Sequence, residues 1–160
     1  KVSETWMAVI NHLIIEKLKF WLIIIFRLQI PRSTSFRGSF GEWYAAKSLK
    51  KKGYKIIARN WRSTKDKRLE LDLVAIDQEC LVFVEVRARS GSSLINGWQS
   101  LSTWKFKALK KAISRYLIEI KPSNTNYRLD IIEIDFPVEN KNQLQSYHHE
   151  NIAIFKRWIH

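Results

Sequence analysis

The sequence predicts an α/β domain in which a mixed β-sheet is flanked by helices. Segments with helical and strand periodicity alternate in the order α-β-β-β-α-β and are followed by a further β segment. A hydrophobic content of 46% and an aromatic content of 12% are typical of a folded chain. The 160 residues are enough for one domain with a sizeable core.

Residues 1–34 differ from the rest and are expected to form an N-terminal apolar helical extension and a linker. The segment VINHLIIEKLKFWLIIIFRLQI is apolar, but the charge-free run around FWLIIIF is only the seven residues between Lys19 and Arg27. A spanning helix needs roughly 20 apolar residues, so a transmembrane span is not expected. We expect an appended helix that packs on the domain or on a partner, or lies at a membrane surface.

The domain is expected to cover residues 35–160, and its elements are identified in chain order. A helix with the sequence GSFGEWYAAKSLKKKG ends at Gly53, which is suited to a C-cap. A second helix carries an apolar stripe that includes Leu101, Trp104, Ala108 and Tyr116. The remaining predicted elements are strands over 54–61, 127–136 and 151–159, and two strands within 69–89.

Acidic residues interrupt the two apolar strands of the stretch LELDLVAIDQECLVFVEVRAR, residues 69–89. In the first strand, alternation places Leu69, Leu71 and Leu73 on one face, and Glu70 and Asp72 on the other. In the second strand, Val82, Val84, Val86 and Ala88 share a face, opposite to Leu81, Phe83, Glu85, Arg87 and Arg89.

A hairpin centred between Gln78 and Glu79 would pair residues whose numbers sum to 157. Asp72 would then lie opposite Glu85, and Glu70 opposite Arg87. Like charges in that position are destabilising unless a cation lies between them. The sequence therefore predicts a Mg²⁺ or Mn²⁺ site held by Asp72 and Glu85. The alternative is that one acid faces solvent from an edge strand, and a β-bulge would break the pairing.

The arrangement of these residues resembles a known nuclease core. A helix that bears Glu42 is followed by Asp72 on one predicted strand and by Glu85-Val86-Arg87 on the next. This order of residues resembles the PD-(D/E)xK motif. The segments GSFGEWYAAKSLKKKGYKIIARNWR, RLELDLVA and LVFVEVRAR resemble the YraN family of predicted endonucleases, which is similar to archaeal Holliday junction resolvases. The resemblance covers roughly Phe36 to Phe155.

The resemblance implies a restriction-endonuclease-like core (αβββαβ) and a metal-dependent endonuclease that acts on DNA, including branched or damaged DNA. It also implies that Asp72 and Glu85 bind the metal, that Glu42 is the acid of the helix, and that Glu70 matches a further acid of the motif. Leu69 replaces the glycine usual in the family. A homodimer is implied by analogy with resolvases, which act on two-fold symmetric substrates.

Arg87 stands where the motif usually has its catalytic lysine. An arginine grips phosphate well, but its pKa exceeds ~12 and it cannot serve as a base. The loss of a general base typically costs ~10²–10⁴-fold in rate. Two alternatives therefore stay open. Arg87 acts on phosphate, or it pairs with Glu70 and is structural.

The charge of the chain indicates a polyanionic partner. The chain has 28 Lys and Arg against 15 Asp and Glu, a net charge of +13. Nucleic acid is the first expected partner, with DNA favoured over RNA by the family resemblance, and an anionic membrane surface is the second. The expected nucleic-acid-binding residues are Arg62, Arg89, Lys105, Lys110 and Lys111.

Three further observations bear on function. The single cysteine, Cys80, fits a reducing cytoplasm and excludes an internal disulfide framework. Trp61 and Trp98 are expected in the core, although either could stack on bases. His148 and His149, in a predicted polar loop, are a weak metal signal. Alternatives to the enzyme are a weak or inactive nucleic-acid-binding module on the same fold, and an interaction protein that docks through residues 1–32.

Overall fold

The computed structural model describes residues 2–26, 30–31, 33–90, 101–123, 126–136 and 144–153, which form three helices and five strands. The bounds of these elements agree with the predicted ones except near the C-terminus. In chain order they are α1 (Val2–Phe26), α2 (Thr34–Lys51), β1 (Lys55–Arg62), β2 (Glu70–Asp77), β3 (Cys80–Ser90), α3 (Thr103–Ile120), β4 (Tyr127–Phe136) and β5 (Gln145–His149).

The five strands form one mixed sheet in the order β1-β2-β3-β4-β5. The pair β3–β4 is parallel and the other three pairs are antiparallel. Helix α3 connects the parallel strands, as a crossover of this kind requires. Helices α2 and α3 pack on separate hydrophobic clusters of the sheet, so the prediction of a mixed α/β fold is confirmed.

The two clusters bury apolar side chains from alternate positions of the central strands. The cluster that includes α2 contains Phe40, Leu49 and Val84, and the cluster that includes α3 contains Phe83 and Ile113. Each of these side chains is at most 2% exposed. Burying one such side chain stabilises the fold by about 1.5–3 kcal/mol.

The predicted hairpin register is confirmed along the paired part of β2 and β3. The pairs run from Asp77–Cys80 to Leu73–Val84, and in each pair the residue numbers sum to 157. The predicted alternation of β2 is wrong at one step, because Leu71 belongs to the α3 cluster and Leu73 to the α2 cluster. The alternation of side chains in β2 changes at Asp72, which is the position next to the last residue pair of the β2–β3 ladder.

Helix α1 packs on the domain through one side. Phe20 is buried and makes edge-to-face contacts with Phe36 and Phe40 at 5.4 Å between ring centroids. Ile23 and Ile24 pack against the same cluster. Among the described residues, no helix combines the length and the hydropathy needed to cross a bilayer.

The prediction of a last strand over 151–159 is wrong for residues 151–153, which are not in a strand, while residues 154–159 lie outside the described part. The strand beside β4 is instead β5, where a polar loop was predicted. His149 pairs with Ile131 and Tyr147 with Glu133. An edge strand has one open side, so polar side chains such as these suit it.

Candidate functional site

An open cleft of about 400 Å³ lies at the end of the sheet where β2 and β3 separate. Three acids and three arginines line this cleft, which we call the acidic cleft: Glu42, Asp72, Glu85, Arg37, Arg87 and Arg89. Helix α2 borders the cleft because it approaches β3 closely at Gly41. A Cβ added at Gly41 would lie 3.3 Å from the Cβ of Ala88, so glycine permits this approach beside Glu42.

Asp72 is fixed at the point where the β2–β3 ladder ends. Its Oδ2 atom accepts a hydrogen bond of 2.7 Å from the backbone N–H of Val86. Burial raises the pKa of Asp72, and the hydrogen bond from Val86 offsets part of this effect. The carboxylate of Asp72 is therefore held against β3 and close to Glu85, the residue before Val86.

Glu85 is a buried acid, with only 4% of its surface exposed. Its burial and the negative charge of Asp72 raise its pKa to about 7, while Lys105 and Arg87 oppose the rise. The predicted proximity of Asp72 and Glu85 is thus present, although the two are not a ladder pair. Two acids in this situation hold their charges at a cost that a cation would relieve.

Lys105 supplies such a cation from α3. Its Nζ atom lies 2.7 Å from Oε1 of Glu85, and one third of its side chain is exposed. Ser102 caps the helix by accepting a hydrogen bond of 3.2 Å from the backbone N–H of Lys105, which fixes where the helix begins. Lys105 was predicted to follow a nucleic-acid backbone, and the structure instead places its ammonium group on a buried acid of the cleft.

Glu42 is the third acid of the cleft and extends from α2. It is hydrogen-bonded to the side chain of Asn60 on β1, and it lies near Asp72 and Glu70. Burial raises the pKa of Glu42, and the charges of Asp72 and Glu70 add to the rise. No pattern in the sequence indicates a role for Asn60. Its positive φ of 48° shows a left-handed conformation that asparagine tolerates better than most residues.

Glu70 does not pair with Arg87, and that prediction is corrected. The carboxylate of Glu70 binds Arg62 of β1 instead, at 2.8 Å from Nε and 2.7 Å from a terminal guanidinium nitrogen. Arg62 and Glu70 are partners in the β1–β2 ladder, which explains the contact. Arg87 is therefore left to the acidic cleft, where its positive charge lowers the pKa values of Asp72 and Glu85 in part.

The other predicted nucleic-acid-binding residues take different places. Arg89 lines the acidic cleft, whereas Lys110 and Lys111 are exposed on α3. Arg37 also lines the cleft, and the sequence did not single it out. It follows the N-terminal turn of α2, and no local pattern indicates that this turn meets the end of β3.

His148 belongs to a buried ionic network distant in sequence from the cleft acids. Its Nε2 atom lies 3.0 Å from Oδ2 of Asp130, and its Nδ1 atom accepts a hydrogen bond of 2.9 Å from Lys52. Arg128 bonds the same aspartate and also Asp77. These contacts give His148 a structural role. Trp61 packs at 5.1 Å from Tyr116, as expected of a core residue, and Trp98 lies outside the described residues.

The sheet and the acidic cleft define the class of protein, a mixed α/β protein with one buried and two partly buried carboxylates at one end of a five-stranded sheet. The chain belongs to the family described as "Uncharacterised protein family UPF0102", whose model matches residues 41–134. This confirms the predicted YraN-like family. The matched residues run from α2 into β4, contain all three acids of the cleft, and exclude α1.

Several relatives carry the same family name. The UPF0102 protein of Herpetosiphon aurantiacus is 35% identical over 121 residues, which are 73% of this chain and 93% of the relative. The UPF0102 protein of Carboxydothermus hydrogenoformans is 36% identical over 118 residues, 74% of this chain and 95% of the relative. The UPF0102 protein of Clostridium perfringens is 34% identical over 103 residues, 64% of this chain and 82% of the relative.

Proposed function

We propose that the chain is a metal-dependent endonuclease that hydrolyses phosphodiester bonds in DNA on a restriction-endonuclease-like core. The observation that carries this proposal is the closeness of Asp72, which is partly buried, and Glu85, which is buried, at the point where the ladder between β2 and β3 ends. Burial of two neighbouring acids costs free energy, and folds that keep such a pair commonly use it to bind a cation or to move protons.

The donor atoms of the cleft fit Mg²⁺ or Mn²⁺. Among the described residues, no group of three or more His, Cys, Asp and Glu side chains is assembled that could hold a metal alone. Mg²⁺ does not require such a group, because it is usually bound by one or two carboxylates together with waters and substrate phosphates. Asp72 and Glu85 would hold the ion. The bound ion would polarise a phosphate oxygen and lower the pKa of a water molecule.

The positive side chains of the cleft suit a phosphodiester substrate. Arg37, Arg87 and Arg89 line the same cleft as the acids. Guanidinium groups bind phosphate oxygens in a bidentate manner, so they can hold the DNA backbone across the cleft. The net charge of +13 favours association with a polyanion in general. Exposed Lys110 and Lys111 of α3 add to the basic surface.

Lys105 brings a lysine to the site in which Arg87 occupies the position usual for the lysine of the motif. Arg87 can neutralise phosphate charge but cannot exchange a proton near neutral pH. Lys105 places an ammonium group on Glu85 from a different element. In the proposed reaction Lys105 contributes the lysine that the motif lacks at position 87, and it stabilises the negative charge that develops on the phosphate.

A second candidate function is a nucleic-acid-binding module with weak or no cleavage on the same fold. The observation that favours it is Arg87, because the group usual at that position is a lysine. In such a module, Asp72 and Glu85 could still bind a cation, but the chain would not cleave DNA. The two candidates differ in a single property, which is bond cleavage by the wild-type chain.

The test is cleavage of labelled linear and four-way-junction DNA by the full chain in Mg²⁺, Mn²⁺ or EDTA. We expect cleavage that requires the metal and falls at least ~10²-fold in Asp72→Ala. Asp66→Ala is the matched control, since Asp66 is an acid that binds Arg68 in the β1–β2 connection. DNA binding without cleavage in every metal would support the binding module, and cleavage that persists in Asp72→Ala would refute the proposed site.

A further inference from the structure

Helix α1 exposes a continuous face of large apolar side chains, which we call the α1 strip. Seven residues form it, and each is between 44% and 61% exposed. They are Ile10, Ile14, Ile15, Leu18, Trp21, Leu22 and Ile25. A monomeric protein in water rarely leaves a contiguous apolar patch of this size uncovered, so the strip indicates a binding surface.

The periodicity of the helix shows that the strip is a single surface. At about 100° per residue, the seven side chains fall within an arc of about 140° and extend about 22 Å along the axis. Phe20, Ile23 and Ile24 lie outside that arc and pack on the domain, and Trp21, near one edge of the arc, also contacts Trp43 of α2 at 5.9 Å between ring centroids. The packing of α1 on α2 therefore turns the strip away from the core.

The charges beside the strip identify its partner. Lys17 and Lys19 are exposed and lie about 20° and about 40° beyond its two edges. Glu16 points toward the packed side and is only partly exposed. Within the strip, Trp21 stacks against the ammonium of Lys47 of α2, at 3.3 Å from the ring centroid. Among the side chains of α1 that the structure describes, the strip is thus bordered by lysines and contains no acid.

We propose that the α1 strip docks the protein on an anionic membrane surface, with α1 lying in the plane of the interface. Apolar residues with a tryptophan on one face and lysines at its edges are the composition of interfacial helices. Lysines at the edges reach the headgroups while their stems cover apolar surface. A second copy of the chain would instead bring lysines together along the edges of the interface, which anionic headgroups would neutralise.

This docking surface is independent of the proposed endonuclease, because α1 lies outside the residues that the family model matches and none of its described side chains lines the acidic cleft. It adds a location to the molecule. A membrane-bound chain would present its α2-β1-β2-β3-α3-β4 body beside the surface, tethered through Phe20 and its neighbours.

The test is sedimentation of the full chain with vesicles of phosphatidylcholine alone or with roughly a third of phosphatidylglycerol, at physiological salt. We expect binding to the anionic vesicles, and at least ~10-fold weaker binding for Leu18→Glu with Leu22→Glu. Ile118→Glu is the matched control, because Ile118 is an equally exposed apolar residue on α3. Lys17→Gln with Lys19→Gln should weaken anionic binding about fivefold per lysine.

Three results would overturn the proposal. The first is that the wild-type chain fails to sediment with anionic vesicles. The second is that Leu18→Glu with Leu22→Glu sediments as well as the Ile118→Glu control, because this would show that binding is a general effect of positive charge. The third is a dimer in light scattering that Leu18→Glu with Leu22→Glu converts to a monomer, which would assign the strip to a second copy. The substituted side chains are exposed, so an unchanged thermal transition checks that the variants remain folded.

Discussion

Replacing Glu85 by glutamine should stabilise the metal-free protein at alkaline pH. Burial and the charge of Asp72 raise the pKa of Glu85 to about 7, from an ordinary value of 4.5. The folded state therefore binds more protons than the unfolded state between these two values, and the free energy of unfolding falls as pH rises through this window. The loss is complete above pH 7 and corresponds to about 3 kcal/mol.

Glutamine has the shape of glutamate without the charge, so the variant should not show this loss. Urea denaturation in EDTA at pH 5 and pH 8 measures it. Relative to Glu85→Gln, the wild type should lose about 2–3 kcal/mol between the two pH values; the opposing charge of Lys105 is already included in the pKa of Glu85. Equal pH slopes for the two proteins would refute the reasoning, because they would show that Glu85 titrates as an ordinary exposed acid.

Two further predictions concern Lys105 and the ionic network of Asp130. Lys105→Met should lower the rate of DNA cleavage by about 10²-fold with little change in DNA binding. Adding Arg87→Lys should restore much of the cleavage rate. No recovery in the double variant would contradict the role given to Lys105. Asp130→Asn should lower the free energy of unfolding by about 3 kcal/mol, as measured by urea denaturation, because Arg128 and His148 lose a fully buried charged partner. A loss below about 1 kcal/mol would show that this network contributes little.

The part of the site on β2 and β3 could be predicted from the sequence because it depends on local rules. Alternation assigns the faces of β3, and a two-residue turn at Gln78 and Glu79 fixes the hairpin register. These two rules were sufficient to predict that Asp72 lies near Glu85. They did not predict the change of facing at Asp72, since that depends on where the ladder ends.

The contacts between elements could not be predicted from local patterns. Lys105 has a helical sequence context like that of Lys107 and Lys110, and only the position of α3 over the sheet sets its ammonium on Glu85. Glu70 pairs with Arg62 because β1 lies beside β2. The register of the hairpin between β2 and β3 contains no information about the position of β1. Asn60 likewise reaches Glu42 from an adjacent strand.

The C-terminal strand shows a different limit. The apolar segment after Asn151 resembles a strand more closely than the polar segment Gln145–His149 does, yet the latter pairs with β4. The stability of β5 comes from buried polar partners, such as Asp130 for His148, that a hydrophobicity pattern does not report.

The measurement that tests the central claim most directly is Mn²⁺ binding by the full chain, followed by electron paramagnetic resonance or calorimetry. Cleavage depends on the choice of DNA, whereas Mn²⁺ binding by the carboxylates of the cleft can be measured without DNA. We predict about one Mn²⁺ per chain in the wild type, and a loss of at least ~10-fold in affinity in Asp72→Asn, with Asp66→Asn unchanged. The absence of Mn²⁺ binding at millimolar concentration, or equal binding by Asp72→Asn, would contradict the account.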